Sequence, residues 1–152
     1  MNDVPQEATQ PGPVLLYDGS CGLCNRAVLL LLRADRRGVL RFAPLQGAPA
    51  QAWLAAHGLP RSDFDSLVFV GDWTDGAARP ALRTDGLIEA LAACGFPGGL
   101  ASALRLVPRG LRDAAYRAVA RYRYRVFGAW RPRPLPRAAW AARFIGGDPS
   151  GS

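Results

Sequence analysis

Short apolar runs and longer amphipathic runs alternate along the first two thirds of the chain. Runs rich in β-branched and aromatic residues predict strands over residues 14–17, 39–43, 66–70 and 79–83. Longer runs with helical spacing predict helices over residues 21–37, 50–57 and 85–94. Glycine, proline and aspartate separate these runs, as is typical of turns. The predicted order is therefore β-α-β-α-β-β-α, an α/β fold in the thioredoxin-like order.

The pattern changes beyond residue 96. Helices are predicted over residues 100–107 and 111–127, and residues 138–144 predict a last helical turn or two. We expect four parts. They are a disordered N-terminal segment (1–13), a thioredoxin-like domain (14–96), a basic helical extension packed on it (97–130), and a Pro/Arg-rich linker with a short helix and flexible tail (131–152).

Charge is unevenly distributed between these parts. Residues 1–99 carry eight Arg and ten acidic residues, a net charge of −2, whereas residues 100–152 carry eleven Arg and two acidic residues, a net charge of +9. The helix over 111–127 combines an apolar stripe with arginines on its other sides. A solvated basic face on a helix packed against the core is one interpretation; docking to an acidic protein or an anionic membrane surface is another. Nucleic-acid binding is not expected.

Candidate redox chemistry lies where the first strand meets the first helix. Cys21 and Cys24 have C-x-x-C spacing, which places both on one face of the helix start. The helix N-terminus favours a thiolate, so Cys21 is the predicted attacking thiol and Cys24 the resolving one. We expect Ser20 or Asp18 to be the N-cap residue.

Other interpretations of the cysteine pair stay open at this point. A structural zinc site needs four ligands, and only Cys94 and His57 remain, each isolated in its segment. Haem attachment requires histidine directly after the second cysteine, where this chain has Asn25. Two core cysteines at a helix start are the third interpretation. Cys94 itself is expected to pack in the core, and His57 to have a structural role near the end of its helix.

Targeting signals are not evident in the sequence. Residues 1–13 are polar, and the longest apolar run, residues 27–32, is far short of the ~20 residues needed to span a bilayer. Together with three cysteines, this predicts a cytoplasmic protein in a reducing compartment.

Two blocks of sequence resemble a known family. The first contains Asp18, Cys21 and Cys24. The second comprises Val107-Pro108-Arg109, Leu111-Arg112-Asp113 with Tyr116, and Ala120-Arg121-Tyr122-Arg123-Tyr124-Arg125 with Phe127-Gly128. In this order they are similar to the DCC family of thiol-disulfide oxidoreductases, named for an Asp-x-x-Cys-x-x-Cys signature. The resemblance implies a thioredoxin-like fold and protein-disulfide reductase activity.

The chain departs from thioredoxin itself in two places. Thioredoxins have a cis-proline just before the third strand, where this chain has Ser66, and Gly-Pro between the cysteines, where it has Gly22 and Leu23. We expect Ser20, Gly22, Leu23 and Ser66 to contact the substrate. Asp18 either accepts a proton from Cys24 during resolution or forms an ordinary turn with Gly19.

These observations predict a dithiol–disulfide oxidoreductase that needs no metal or organic cofactor. Its expected partners are a disulfide-bearing protein or a small thiol, with an electron donor that the sequence does not identify. The alternative is a non-catalytic adaptor that binds an acidic protein or an anionic membrane surface through its Arg-rich helix.

Overall fold

The computed structural model describes residues 11–62, 67–95, 99–131 and 133–146. Its strands are β1 (Val14–Tyr17), β2 (Arg41–Pro44), β3 (Val68–Val70) and β4 (Ala81–Leu82). Its helices are α1 (Gly22–Ala34), α2 (Ala48–Ala56), α3 (Arg83–Ala93), α4 (Gly99–Leu106), α5 (Arg109–Phe127) and a 3-10 helix (Ala138–Arg143). The predicted order β-α-β-α-β-β-α, followed by helices, is confirmed.

The four strands form one mixed sheet in the order β2-β1-β3-β4. β1 pairs parallel with β2 and antiparallel with β3, and β4 pairs antiparallel with β3. The parallel pair needs a crossover, which α1 supplies. A mixed sheet of this kind is compatible with the thioredoxin-like fold.

Alternate residues of β1 face two separate cores. Leu15 and Tyr17 pack with α1 and α3, whereas Val14 and Leu16 pack with α2. Because both faces are covered, all four residues of β1 are buried, which explains why its sequence is apolar throughout rather than alternating. β1 is therefore an interior strand with both faces covered, and the cysteine pair follows its carboxyl end.

Residues near the C-terminus pack on the edge of the sheet. The backbone N–H of Ile145 donates to the carbonyl of Phe42 at 2.8 Å, and Phe144 forms a parallel bridge with Phe42. The Arg143 guanidinium pairs with the carboxylate of Asp35, whose side chain is fully buried. These contacts cover the outer edge of β2.

The start of α3 differs from the sequence prediction. A helix beginning at residue 85, as the pattern predicts, would have Thr84 as its N-cap residue, but α3 begins at Arg83 and its N-cap residue is Leu82. The Thr84 hydroxyl instead donates to Asp113 of α5 at 2.9 Å. The Thr84 side chain therefore stabilises the contact between α3 and α5 and does not cap the helix. The predicted third strand began at Ser66, which lies outside the described residues.

Helix α5 packs with its polar side inward. Arg112 and Arg123 keep only 12% and 8% of their side chains exposed, whereas Leu111 and Val126 are 63% and 70% exposed. Arg112 pairs with Asp85, and the Tyr116 hydroxyl accepts the backbone N–H of Leu67 at 2.8 Å. Acidic and backbone groups of the domain thus select the face of α5 that carries Arg112 and Arg123, while Arg117, Arg121 and Arg125 remain exposed.

Candidate active site

The cysteine pair lies where β1 passes into α1. Cys21 has an extended backbone and is itself the N-cap residue, with its sulfur accepting the backbone N–H of Cys24 at 3.4 Å. The prediction of Ser20 or Asp18 as N-cap was therefore wrong. The physical reason is that the Asp18 carboxylate is occupied by other donors, which leaves the helix N–H groups to the sulfur.

Asp18 is the centre of a polar cluster, which we name the Asp18 cluster. It consists of the buried Asp18 and Arg123 and the exposed Ser20, Gln46 and Tyr124. One carboxylate oxygen accepts from the Ser20 hydroxyl at 2.7 Å and from the Gln46 amide at 2.6 Å. The other accepts from the Tyr124 hydroxyl and, at 3.3 Å, from the Arg123 guanidinium. Burial alone would raise the pKa of Asp18, but the hydrogen bonds from Tyr124, Ser20 and Gln46 outweigh it and lower that pKa.

Arg123 links this cluster to the thiols. Its guanidinium donates to Asp18 through Nη2 and lies 3.7 Å from the Cys24 sulfur through Nη1. Arg123 and Asp18 are both nearly buried, with 8% and 6% of their side chains exposed. Removing either charge would leave the other buried without its partner, which is strongly destabilising.

The pKa of Cys21 is lowered to about 6. The largest cause is the hydrogen bond from the Cys24 thiol; burial opposes it, and the backbone N–H of Cys24 and the positive charge of Arg123 lower the pKa further. At neutral pH Cys21 is therefore mainly thiolate, the form that attacks disulfides.

The pKa of Cys24 is shifted the opposite way. The hydrogen bond to Cys21 raises it first, then burial and the negative charge of Cys21, while Arg123 opposes the rise. At neutral pH the pair therefore holds one proton, and that proton is on the Cys24 sulfur. This separation gives the pair one nucleophile and one protonated partner.

Neither thiol is openly exposed. Cys21 has no exposed surface and Cys24 is 7% exposed. The segment 128–130, which we call the covering segment, lies against Cys21. The carbonyl of Gly128 accepts from Gly22 N–H at 3.1 Å, Ala129 bridges to Cys21, and Trp130 N–H donates to Ser20 at 2.8 Å.

Gly22 is required by this close approach. A Cβ at residue 22 would lie 2.8 Å from the carbonyl oxygen of Phe127 and 3.0 Å from that of Gly128. Any larger residue would therefore push the covering segment away from α1. The glycine between the cysteines has a packing reason that the motif alone does not show.

The residues predicted as substrate contacts have different positions. Ser20 is exposed and hydrogen-bonds Asp18, with Tyr124 3.1 Å away; Leu23 is half-buried beside Cys24; Gly22 lies under the covering segment. Ser66 lies outside the described residues. Asp18 is linked to the cysteine pair through Arg123, which donates to its carboxylate and lies 3.7 Å from the Cys24 sulfur.

Sequence reasoning missed Gln46, Arg123 and Tyr124 as parts of the site. Arg123 and Tyr124 stand among several arginines and tyrosines of α5, and spacing does not distinguish them. The only signal was that both lie in the second block of family resemblance. Asn25 was noted only for not being histidine, yet its buried amide donates to the carbonyls of Gly19 and Cys21 at 3.0 and 2.9 Å, which fixes the cysteine turn.

Cys94 and His57 lie away from the pair. Cys94 is buried in the core with its pKa raised to about 11, mainly by burial, and its predicted core packing is confirmed. His57 stacks on Trp53 with ring centroids 3.8 Å apart. Within the described residues, no three His, Cys, Asp or Glu side chains are grouped closely enough to hold a metal ion.

Comparison with known proteins identifies a family whose sequence model covers most of the chain. The sequence model of the family described as "DCC1-like thiol-disulfide oxidoreductase" matches residues 15–129. The uncharacterized protein YuxK of Bacillus subtilis (strain 168) is 33% identical over 135 residues, which cover 89% of this chain and 95% of YuxK. A DCC family protein of Arabidopsis thaliana, described as chloroplastic, is 31% identical over 117 residues, 76% of this chain and 65% of that protein.

No solved structure matches the chain significantly. None of the helices in the described ranges is long and apolar enough to cross a membrane. The matched residues include Asp18, both cysteines of the pair and the whole of α5. The family description supports a thiol-disulfide oxidoreductase role, and the neighbouring Cys21 and Cys24 fit that chemistry. The chain belongs to the DCC1-like thiol-disulfide oxidoreductase family.

Proposed function

We propose that the protein is a protein-disulfide reductase in which Cys21 attacks and Cys24 resolves. The observation that carries the proposal is the position of Cys21 at the N-terminus of α1, where its sulfur accepts the backbone N–H of Cys24 at 3.4 Å. The opposed pKa shifts of the two thiols, lowered to about 6 at Cys21 and raised at Cys24, agree with it. The Cys21 thiolate attacks one sulfur of a partner disulfide, which forms a mixed disulfide and releases the other sulfur as a thiolate. Cys24 then attacks the Cys21 sulfur, which closes the intramolecular disulfide and releases the reduced partner.

The second step needs Cys24 to lose its proton. The hydrogen bond to Cys21 is the largest cause of its raised pKa, and the Cys21 charge adds to it. Both influences end once the Cys21 sulfur enters the mixed disulfide, because that sulfur is then neutral. Arg123, 3.7 Å from the Cys24 sulfur, remains to stabilise the new thiolate. The first step thus activates the second.

We assign Asp18 to positioning rather than to proton transfer. Its lowered pKa makes it a weak base, and its oxygens already accept from four side chains. It holds Arg123 beside Cys24 and Tyr124 beside Ser20. A protein substrate also needs the covering segment to move, because Cys21 is fully buried beneath it. A reducing compartment such as the cytoplasm suits this cycle.

Reduction of insulin disulfides, with dithiothreitol as the electron source, tests the proposal. Cys21→Ser should reduce the rate to background, and Cys24→Ser should accumulate a mixed disulfide at Cys21 that mass spectrometry detects. Cys94→Ser, a buried cysteine outside the pair, is the matched control and should retain the wild-type rate. Wild-type activity in the Cys21→Ser variant would contradict the proposal.

A second candidate function is supported by the outer face of α5. Leu111, Val119 and Val126 are 63%, 52% and 70% exposed, beside the exposed arginines Arg117, Arg121 and Arg125. Apolar side chains flanked by arginine suit the surface of an anionic membrane. We therefore propose peripheral membrane docking as the alternative to catalysis.

Co-sedimentation with vesicles separates this candidate from the first. Binding to vesicles containing phosphatidylserine, absent with pure phosphatidylcholine, should survive Cys21→Ser with Cys24→Ser and be lost in Val126→Glu. Equal binding of the protein to both vesicle types, or binding to neither type, would contradict membrane docking.

A further inference from the structure

An apolar cavity adjoins the cysteine pair on the side of Cys24. Its volume is about 450 Å³, and it lies between α1, α3, α4 and α5. Its walls include Leu23, Cys24, Ala27, Leu87, Leu104 and Val119. Small-molecule sites are commonly concave, mainly apolar and about 300–1,000 Å³ in volume, so this cavity has the size of a ligand site.

Only one of the two cysteines of the pair lines this cavity. Cys24 lines it, whereas Cys21 does not and lies beneath the covering segment. A ligand in the cavity therefore meets the resolving cysteine first. The two sulfurs face different surroundings, and the proposed protein-disulfide chemistry at Cys21 does not use the cavity.

The walls select against charged thiols. The two arginines at the cavity are already engaged, Arg112 with Asp85 and Arg123 with Asp18. Most of the remaining lining is aliphatic, so a thiol carrying free carboxylates would lose hydration without gaining new partners. An aliphatic chain matches this lining. Leu111, Ala115 and Val119, which also line the cavity, are exposed and form an apolar entrance.

We propose that this cavity admits a small apolar dithiol, two thiols on a short aliphatic chain, which reduces the oxidised Cys21–Cys24 pair by attacking the Cys24 sulfur. The inference rests on the proposed reductase function and names the class of its electron donor. In this cycle the donor reacts with the Cys24 sulfur, whereas the protein substrate reacts with the Cys21 sulfur.

The reaction balances as a two-electron exchange. One thiolate of the donor attacks the Cys24 sulfur, the Cys21–Cys24 bond breaks, and Cys21 leaves as a thiolate. The second donor thiol loses its proton and attacks the donor sulfur bound to Cys24. The donor closes as a cyclic disulfide, and the expelled Cys24 thiolate takes up a proton. Cys21 leaves at the N-terminus of α1, where the backbone N–H of Cys24, 3.4 Å from its sulfur, and the positive charge of Arg123 lower the pKa of its thiol. Exchange is faster when the departing thiol has a lower pKa.

Reduction kinetics of the oxidised full-length protein test the inference. In the Cys94→Ser background, rates are measured by acid quench and alkylation with dihydrolipoamide and with dithiothreitol. Both are dithiols that close cyclic disulfides, but only dihydrolipoamide carries an apolar chain. We expect its rate constant to be roughly tenfold larger, since burying two methylenes is worth about that factor. Equal rate constants would overturn the inference.

A pair of neighbouring substitutions on α5 provides the matched control. Ala115 lines the cavity, whereas Ala114 is exposed on the same helix and does not. Ala115→Trp should remove the advantage of dihydrolipoamide and leave the dithiothreitol rate within about twofold, while Ala114→Trp should change neither, because only the first fills the cavity. An equal loss for both donors in Ala115→Trp alone would overturn the cavity as the entry route.

The attacked sulfur is identified with a monothiol that cannot complete the exchange. Oxidised Cys94→Ser protein mixed with 1-butanethiol and quenched in acid should carry the butyl group on Cys24, with Cys21 free for alkylation. Butyl groups mainly on Cys21 would overturn the inference. Insulin reduction driven by dithiothreitol separates the two proposals: its persistence alongside a failed dihydrolipoamide test rejects only the donor assignment, whereas its absence rejects the reductase function.

Discussion

Helices α1 and α5 pack against each other, yet they bury opposite kinds of side chain. α1 buries Val28, Leu31 and Leu32 against the sheet and exposes Arg26 and Arg33. α5 buries an arginine and exposes leucine and valine. The difference shows that a helix buries whichever face its neighbours can satisfy. The sheet offers α1 an apolar surface, whereas Asp18 and Asp85 offer α5 carboxylates that need cations.

The buried arginine gives the largest expected effect. Arg123→Met should lower the free energy of unfolding by about 3–5 kcal/mol, because it leaves the buried Asp18 charge without its ion pair. Urea denaturation of the reduced protein measures this. Arg121→Met, two residues away and exposed, is the control and should change stability by about 0.5 kcal/mol or less. Equal effects would mean that the Asp18–Arg123 pair contributes no more than surface charge.

The next comparison concerns apolar side chains on the two helices. Leu31→Ala on α1 should cost about 2–5 kcal/mol of unfolding free energy, because Leu31 is 2% exposed and its loss leaves a cavity. Val126→Ala on α5 should cost about 0.5 kcal/mol or less, because Val126 is 70% exposed. The same urea titrations measure both. A large cost for Val126→Ala would show that the outer face of α5 is covered in solution.

A smaller effect is expected for the hydroxyl of Tyr124. Tyr124→Phe removes its hydrogen bond to Asp18 and its contact with Ser20. It should cost about 1.5 kcal/mol of unfolding free energy, the low end for bonds to charged groups, because Tyr124 is 44% exposed. Tyr122→Phe, a neighbouring exposed tyrosine, should be neutral. Thermal denaturation of the two variants side by side decides the matter; equal melting temperatures would contradict a role for the hydroxyl.

The pH dependence of Cys21 gives the smallest effect and links α5 to the thiols. Alkylation of Cys21 in the Cys94→Ser protein should reach half its plateau rate near pH 6, because only the thiolate reacts. Arg123→Met should raise that midpoint by roughly one pH unit, since a neighbouring positive charge favours the thiolate. Arg121→Met should leave it unchanged. An unmoved midpoint in Arg123→Met would contradict electrostatic support from α5.

The same pKa also makes stability depend on pH in the reduced protein. The pKa of Cys21 is lower in the folded protein, about 6, than its ordinary value of 9.0. The unfolded chain therefore binds more protons between these values, and the contribution of Cys21 to stability rises with pH across that window. Its stabilisation is fully present above about pH 9 and is lost as the pH falls through about 6. Cys21→Ser should remove this part of the dependence in urea titrations.

Local sequence was sufficient for the elements of the domain. The apolar run at Val14–Tyr17, the turn residues after it and the C-x-x-C spacing all depend on neighbours within about one helical turn, and the structure has them where the pattern indicates. The core packing of Cys94 followed from the apolar side of its helix. These predictions succeeded because backbone preference and side-chain periodicity agree there.

The sequence by itself therefore determined the element order, the position of the cysteine pair at a strand-to-helix junction and the family. Only the tertiary structure decided which face of α5 is buried, that Cys21 caps its own helix, and that Asp18 meets an arginine 105 residues away. The physical reason is that buried charges must be paired across the fold, whereas periodicity records only how apolar each face is. At α5, charge pairing outweighed the apolar pattern.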